Sequence, residues 1–279
     1  MIIRCWGIRG SIPVSGRDYI KYGGDTTCVE VRAEDNQVLI LDAGSGIRRL
    51  GNQLLRENIR KCHLLFTHAH WDHLLGFPFF KPIYDKRSRI ELYGCPFAQK
   101  SVRHLIGKTM VRPNFPVDFK DVRAKIDFHG ICMDPFKIHR LHVEPVLLSH
   151  PNQGIGYKLV ENGKVFVFLT DNELTYHHRG GLRYEDYRKF CRNADLLLHD
   201  AEYTPAEYPA RITWGHSVYT DVVRLAIEAG VKKLGFIHHN QDRADCEVAQ
   251  IEKKARAIIR KAGSPLHCFA AAQDQVIRL

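Results

Sequence analysis

The 279-residue chain contains no run of eighteen apolar residues, so no membrane-crossing helix is expected. Its start, Met1-Ile2-Ile3-Arg4-Cys5-Trp6, has neither a basic leader nor a small-residue cleavage site, which points to the cytoplasm. The eight cysteines (Cys5, Cys28, Cys62, Cys95, Cys132, Cys191, Cys246, Cys268) include no C-x-x-C pair. That argues against a thiolate zinc knuckle and a compact disulfide framework, and leaves free, mostly buried thiols. Repeats, low-complexity tracts and linkers are also missing, so one domain over residues 1–279 is expected, with Thr109 to Asp121 a lid or edge excursion rather than a boundary. Lys and Arg outnumber Asp and Glu by 41 to 31, yet no five of them are consecutive. A net charge of +10 favours an anionic partner, a nucleotide or nucleic acid, through its long-range field.

Short apolar runs rich in β-branched residues are present in number: Thr27 to Arg32, Val38 to Leu41, His63 to Phe66, Ile90 to Tyr93, Lys125 to Phe128, Val143 to Leu148, Gly156 to Val160, Val165 to Leu169, Leu196 to Leu198 and Leu234 to Ile237. Helical patterns fall at Gly46 to Asn58, Ala98 to Gly107, Tyr184 to Cys191, Ser217 to Ala229 and Asp245 to Ala262, with Gly230 and Gly263 as stops. Because each strand run is apolar enough for burial on both faces, the order is compatible with an α/β (α+β) sandwich of two mixed sheets between helices, αββα.

Chemistry concentrates in Thr67-His68-Ala69-His70-Trp71-Asp72-His73, which ends an apolar strand with three imidazoles and one carboxylate. Such side chains are the usual ligands of zinc, manganese and iron, and a turn after a strand can aim them at two adjacent positions. Each catalytic ion needs three or more protein ligands. His150 before Pro151, Asp171 after Val167-Phe168-Leu169-Thr170, and His238 after Phe236-Ile237 stand at the ends of other strand runs and supply the remainder. Alone, each reads as a cap; together with the dense cluster they read as ligands.

At these residues the sequence resembles the metallo-β-lactamase superfamily, whose H-x-H-x-D-H signature is matched by His68, His70, Asp72 and His73. The resemblance implies a four-layer αββα fold holding two divalent ions, zinc foremost with manganese or iron as alternatives. By it, His68, His70 and His150 hold the first ion and Asp72, His73 and His238 the second. Asp171 bridges them, and Asp42 braces the loop. Within the superfamily the chain is most similar to ribonuclease Z and cyclic-nucleotide phosphodiesterases. His150-Pro151-Asn152-Gln153-Gly154-Ile155-Gly156-Tyr157 resembles their third-histidine segment, Leu198-His199-Asp200-Ala201-Glu202-Tyr203 their His-Glu-Ala segment, and Trp214-Gly215-His216-Ser217 their His-Ser-Thr motif. That assigns His216 as the proton donor, with Asp200, in place of the usual glutamate, orienting it, and hydrolysis by metal-bound hydroxide.

Two glycine loops, Gly7-Ile8-Arg9-Gly10-Ser11 and Tyr22-Gly23-Gly24-Asp25-Thr26, resemble entrance loops of the phosphodiesterase-like branch and read equally as tight turns or as a phosphate cradle. Of the rings in Gly76-Phe77-Pro78-Phe79-Phe80, most read as core and one could stack on a base. The leading expectation is a phosphodiesterase acting on small or cyclic nucleotides, with a tRNA 3′-processing endonuclease of the ribonuclease Z type as the alternative. In bacterial ribonuclease Z an RNA-gripping arm occupies the space between the third histidine and the bridging aspartate, and here only twenty residues separate His150 from Asp171. Ester or amide hydrolysis and a metal-bound sensor are the remaining classes. Partners expected are a small nucleotide or phosphodiester, RNA as the alternative, no membrane, and a second copy in a homodimer, with Arg103 to Asp121 reaching toward the partner's cleft.

Overall fold

The computed structural model describes residues 1–94, 102–131 and 133–279. Cys95, Cys132 and the expected helix start at Ala98 lie outside the described residues. The described chain forms two seven-stranded sheets. The first runs β14 (Val276–Arg278), β1 (Ile2–Gly7), β2 (Cys28–Arg32), β3 (Val38–Leu41), β4 (Lys61–Leu65), β5 (Arg89–Gly94), β6 (Lys125–Gly130). The second runs β13 (His267–Ala270), β12 (Lys233–Ile237), β11 (Leu196–Asp200), β10 (Lys164–Leu169), β9 (Ile155–Glu161), β8 (Leu141–Leu147), β7 (Phe136–Ile138).

Their inner faces share one apolar layer, in which Ile3, Val31, Leu39, Leu65, Tyr157, Phe166, Phe168 and Leu198 are buried. Outside the first sheet, α1 (Ile47–Arg56) buries Ile47, Leu50 and Leu54, spaced three and four apart, and α3 (Val102–Thr109) packs against β5. Outside the second lie α4 (Tyr184–Phe190), α5 (Tyr219–Glu228) and α6 (Asp245–Lys261), which bury Tyr187, Val222, Val223, Leu225, Ile251 and Ile259. This is the αββα sandwich expected. Gly230 and Gly263 end α5 and α6 with φ of +67° and +63°, the left-handed conformation glycine adopts without a Cβ penalty.

Two expectations change. Strand β6 is an edge strand, mostly part-exposed, and not a strand buried on both faces. Four strands, β1, β7, β13 and β14, lie outside the ten expected runs. No helix among the described residues is long and apolar enough to cross a membrane. Cys5, Cys28, Cys62, Cys191 and Cys268 are free and buried, and Cys246 is free and exposed.

What positions the site is strand direction. β3 to β6 are parallel to one another, as are β10 to β13, so several strands deliver their C-terminal ends to one edge of the sandwich. In open α/β sheets that edge is where ligands bind.

Candidate metal centre and active site

Three chain reversals at this edge carry key side chains. Asp42 follows β3, Asp171 lies two residues past β10, and His238 follows β12, with φ of 63°, 48° and 57°. Non-glycine residues rarely adopt that region, and it recurs where function over-determines the backbone. Two residues past the end of β4, Thr67 opens the His-rich turn, which leads into a single helical turn, α2 (Trp71–Leu74), burying Asp72, His73 and Leu74.

The structure brings all seven expected metal ligands together, in two groups. His68, His70, His150 and Asp171 form one, and Asp72, His73, Asp171 and His238 the other; within each, one donor atom per residue lies within 4.8 Å of the others. Asp171 belongs to both. Donors about 2.0–2.2 Å from one ion would be separated by distances of this order.

The hydrogen-bond pattern tests whether ions fit. His73 Nδ1 lies 2.8 Å from Asp42 Oδ2, His238 Nδ1 2.9 Å from Glu202 Oε2, and His150 Nδ1 3.1 Å from the Gly215 carbonyl oxygen. Each acceptor takes the Nδ1–H and leaves Nε2 as a lone pair, the arrangement that orients metal-bound imidazoles. His68 Nδ1 lies 3.0 Å from Thr67 Oγ1, which itself donates to Asp42 at 2.7 Å. The freed atoms converge. Nε2 of His68 and of His73 are buried without a hydrogen-bond partner, each 3.3 Å from an Asp171 oxygen. His150 Nε2 and His70 Nδ1 face each other at 3.3 Å. Unpartnered lone pairs in a buried site are costly unless an electrophile takes them, so the donor set fits divalent cations.

Electrostatics agree. Burial, then neighbouring His68, lowers the pKa of His70 to about 4 and of His150 to about 2, so both are neutral and ready to ligate at pH 7. Burial acts the same way on His73 and His238, but the carboxylates outweigh it and hold both well above the usual imidazole range: Asp72 then Asp171 for His73, Asp171 then Asp72 and Glu202 for His238. A centre this rich in carboxylate calls for positive charge, which protons or metal ions supply.

His216 stands beside the second group, its ring stacked on His238 at 4.6 Å between centroids and 20° between planes. Asp200 is not within hydrogen-bond reach of it: His216 Nδ1 is 3.8 Å from Asp200 Oδ2 and 3.6 Å from Glu202 Oε2. The reason is that Asp200 is already occupied, accepting from the backbone N–H groups of Asn172, Glu202 and Ser217. Burial lowers the His216 pKa, and the Glu202 and Asp200 carboxylates more than compensate, raising it to about 9.

Several positioning groups were missed in the sequence. Glu202, buried, accepts from His238 and from Asn240 Nδ2 at 2.8 Å. Gly215, at φ +93°, must be glycine, because a Cβ there would sit 1.9 Å from His150 Nδ1. Glu173 accepts from Gly215 N–H, Thr213 N–H, Tyr208 and His178, and so anchors the loop bearing His216. The carboxylate pair Asp200-x-Glu202 was the one sequence signal available, since residues i and i+2 of an extended segment share a face.

The glycine loops are packing devices. The N–H groups of Ile8, Arg9, Gly10, Gly23, Asp25 and Thr26 all donate within the protein, and Ser11 N–H donates to Asp72 Oδ2 at 2.9 Å. Buried Arg9 ties them to the His238 loop through the carbonyl oxygens of Gly23, Asn240 and Arg243. Phe77 and Phe80 are fully buried, whereas Phe79 is 52% exposed.

The family model described as "Beta-lactamase superfamily domain" matches residues 37–239, a span that holds every residue of this centre. The chain belongs to the metallo-β-lactamase superfamily and is a metal-dependent hydrolase. Among curated relatives, ribonuclease Z of Metallosphaera sedula is 26% identical over 262 residues, covering 82% of this chain and 86% of the relative. The fold matches that of the human short-form tRNase Z with a TM-score of 0.69 at 20% identity, covering 100% of this chain and 99% of the other. It matches yeast PDE1 with a TM-score of 0.71 at 13% identity, again covering 100% and 99%.

Proposed function

We propose that the protein hydrolyses small or cyclic nucleotide phosphodiesters. The observation that carries this reading is the connection from His150 to Asp171. Strands β9 and β10 pair as a hairpin with Glu161 opposite Lys164, closed by Asn162 and Gly163 at φ 49° and 73°, a tight two-residue turn. The RNA-gripping arm that the ribonuclease Z resemblance would place there has no room. The +10 net charge and the relatives named ribonuclease Z favour the second reading, a tRNA 3′-processing endonuclease.

When bound, two divalent ions supply Lewis-acid stabilisation and draw the pKa of water from about 15.7 toward 7. The chain does the rest. His68, His70, His150, Asp72, His73, Asp171 and His238 would hold the ions, zinc first among the candidates, while Asp42, Glu202 and the Gly215 carbonyl fix imidazole orientation. His216 gives a proton to the departing oxygen, a step typically worth a hundredfold or more in rate. The proposal includes a single hydrolase domain over residues 1–279, a cytoplasmic location and a homodimer.

The test is a substrate comparison with metal-loaded protein. Hydrolysis of bis-p-nitrophenyl phosphate with no turnover of nitrocefin or thioesters is expected. Preferential cleavage of the carboxylic derivatives would sink the phosphodiester reading.

A further inference from the structure

A cleft of about 570 Å³ opens at Trp71, within the His-rich turn, and is lined also by Phe79, Lys108, Thr109, Asn114 and Phe115. We propose that it receives the nucleobase of the substrate, stacked on the Trp71 indole; this rests on the phosphodiesterase reading. Trp71 is 81% exposed, an unusual state for the largest apolar side chain, and it sits in sequence between His70 and Asp72, a donor from each group. One Cα step of about 3.8 Å separates it from either. The turn that buries Asp72, His73 and Leu74 leaves the indole exposed.

Phe79 and Phe115, which also line the cleft, meet edge to face, with centroids 5.6 Å apart and planes at 89°. Lys108, Thr109 and Asn114 contribute a cation, a hydroxyl and an amide, so stacking surface and hydrogen-bonding groups occur together. The volume falls in the range of small-ligand sites, roughly 300–1,000 Å³.

The experiment compares thymidine 5′-p-nitrophenyl phosphate, which carries a base, with methyl p-nitrophenyl phosphate, which does not, using wild type, Trp71→Ala and Phe115→Ala. Stacking on one aromatic ring predicts that the ratio of KM values, nucleotide over methyl ester, rises roughly tenfold to hundredfold in Trp71→Ala and moves the same way in Phe115→Ala. In parallel, thymidine 5′-monophosphate should quench tryptophan fluorescence of the wild type and not of Trp71→Phe. An unchanged KM ratio with persistent quenching overturns the slot, as does a halved mass of Trp71→Ala in sedimentation, which would make the cleft a subunit contact. If the wild type hydrolyses neither ester, the parent reading fails, while the quenching experiment still decides the slot.

Discussion

Glu202 and Asp200 lie two residues apart and make opposite predictions. Glu202 holds His238 at 2.9 Å through a charge-assisted hydrogen bond and is the carboxylate nearer His216, whereas Asp200 is committed to three backbone N–H groups. In Glu202→Gln the side chain keeps its shape and loses its charge, and the amide can present its NH2 to His238. Loss of such an outer partner costs about 10- to 100-fold in metal affinity or activity, or roughly 1.4–2.7 kcal/mol. Asp200→Asn instead turns an NH2 toward backbone donors at a fully buried position, a cost of about 1–3 kcal/mol in folding. Purified variants would be compared by metal content, by the affinity of the weaker ion, by kcat on bis-p-nitrophenyl phosphate and by Tm. Glu202→Gln should lose metal affinity and the stabilisation that added metal gives; Asp200→Asn should keep that metal-dependent gain and lose several degrees of Tm in the chelated protein. If Asp200→Asn keeps its Tm and loses His216-dependent rate, while Glu202→Gln is silent, the orientation derived from these distances is wrong.

Other expectations follow from the same geometry. His216→Ala should slow esters with poor leaving groups about a hundredfold more than p-nitrophenyl esters, since only the former need a proton on departure; equal slowing would remove His216 from that role. Gly215→Ala, which drives a methyl group into His150, should reduce bound metal from two ions toward one, read by elemental analysis. Chelation should abolish activity and lower Tm, because ions that bind only the folded chain stabilise it by mass action; re-addition should restore both. His63, away from the centre, has its pKa lowered to about 4, chiefly by burial and then by Lys61. Its folded value lies below the unfolded value of about 6.5, so the unfolded chain takes up the proton first. Stability present above pH 6.5 is therefore lost as pH falls from 6.5 to 4, by on the order of 2 kcal/mol after discounting for its partial solvent contact. His63→Gln should flatten that limb in urea titrations at each pH.

The ten strand runs read from the sequence all correspond to strands because apolar residues mark each of them locally, as a continuous run in Leu196 to Leu198 or as an alternation in Lys125 to Phe128. Of the four that escaped, β14 depends on a distant partner. Strand β14 is three residues long and exists through pairing Ile2 with Arg278 and Arg4 with Val276, a closure that joins the two ends of the chain. Edge strand β7 is equally short. The metal donors were legible because strand-end histidines and aspartates form a pattern that few other chemistries require. Their supporting groups were not: Gly215 acts through a carbonyl, which carries no side-chain signal, and Glu202 was overshadowed by Asp200, which matched a familiar motif while its carboxylate is consumed by the backbone. The exposed Trp71 was hidden in the motif itself, flanked by ligands that drew the interpretation.

The central claim is tested most directly by offering 2′,3′- and 3′,5′-cyclic nucleotides and a precursor tRNA to zinc- or manganese-loaded protein, with His68→Ala as the control. Turnover of a cyclic nucleotide that disappears in His68→Ala, with the tRNA left intact, is the predicted result. Release of the tRNA 3′ trailer without cyclic-nucleotide turnover would contradict it and make the protein a ribonuclease that works without an arm between His150 and Asp171.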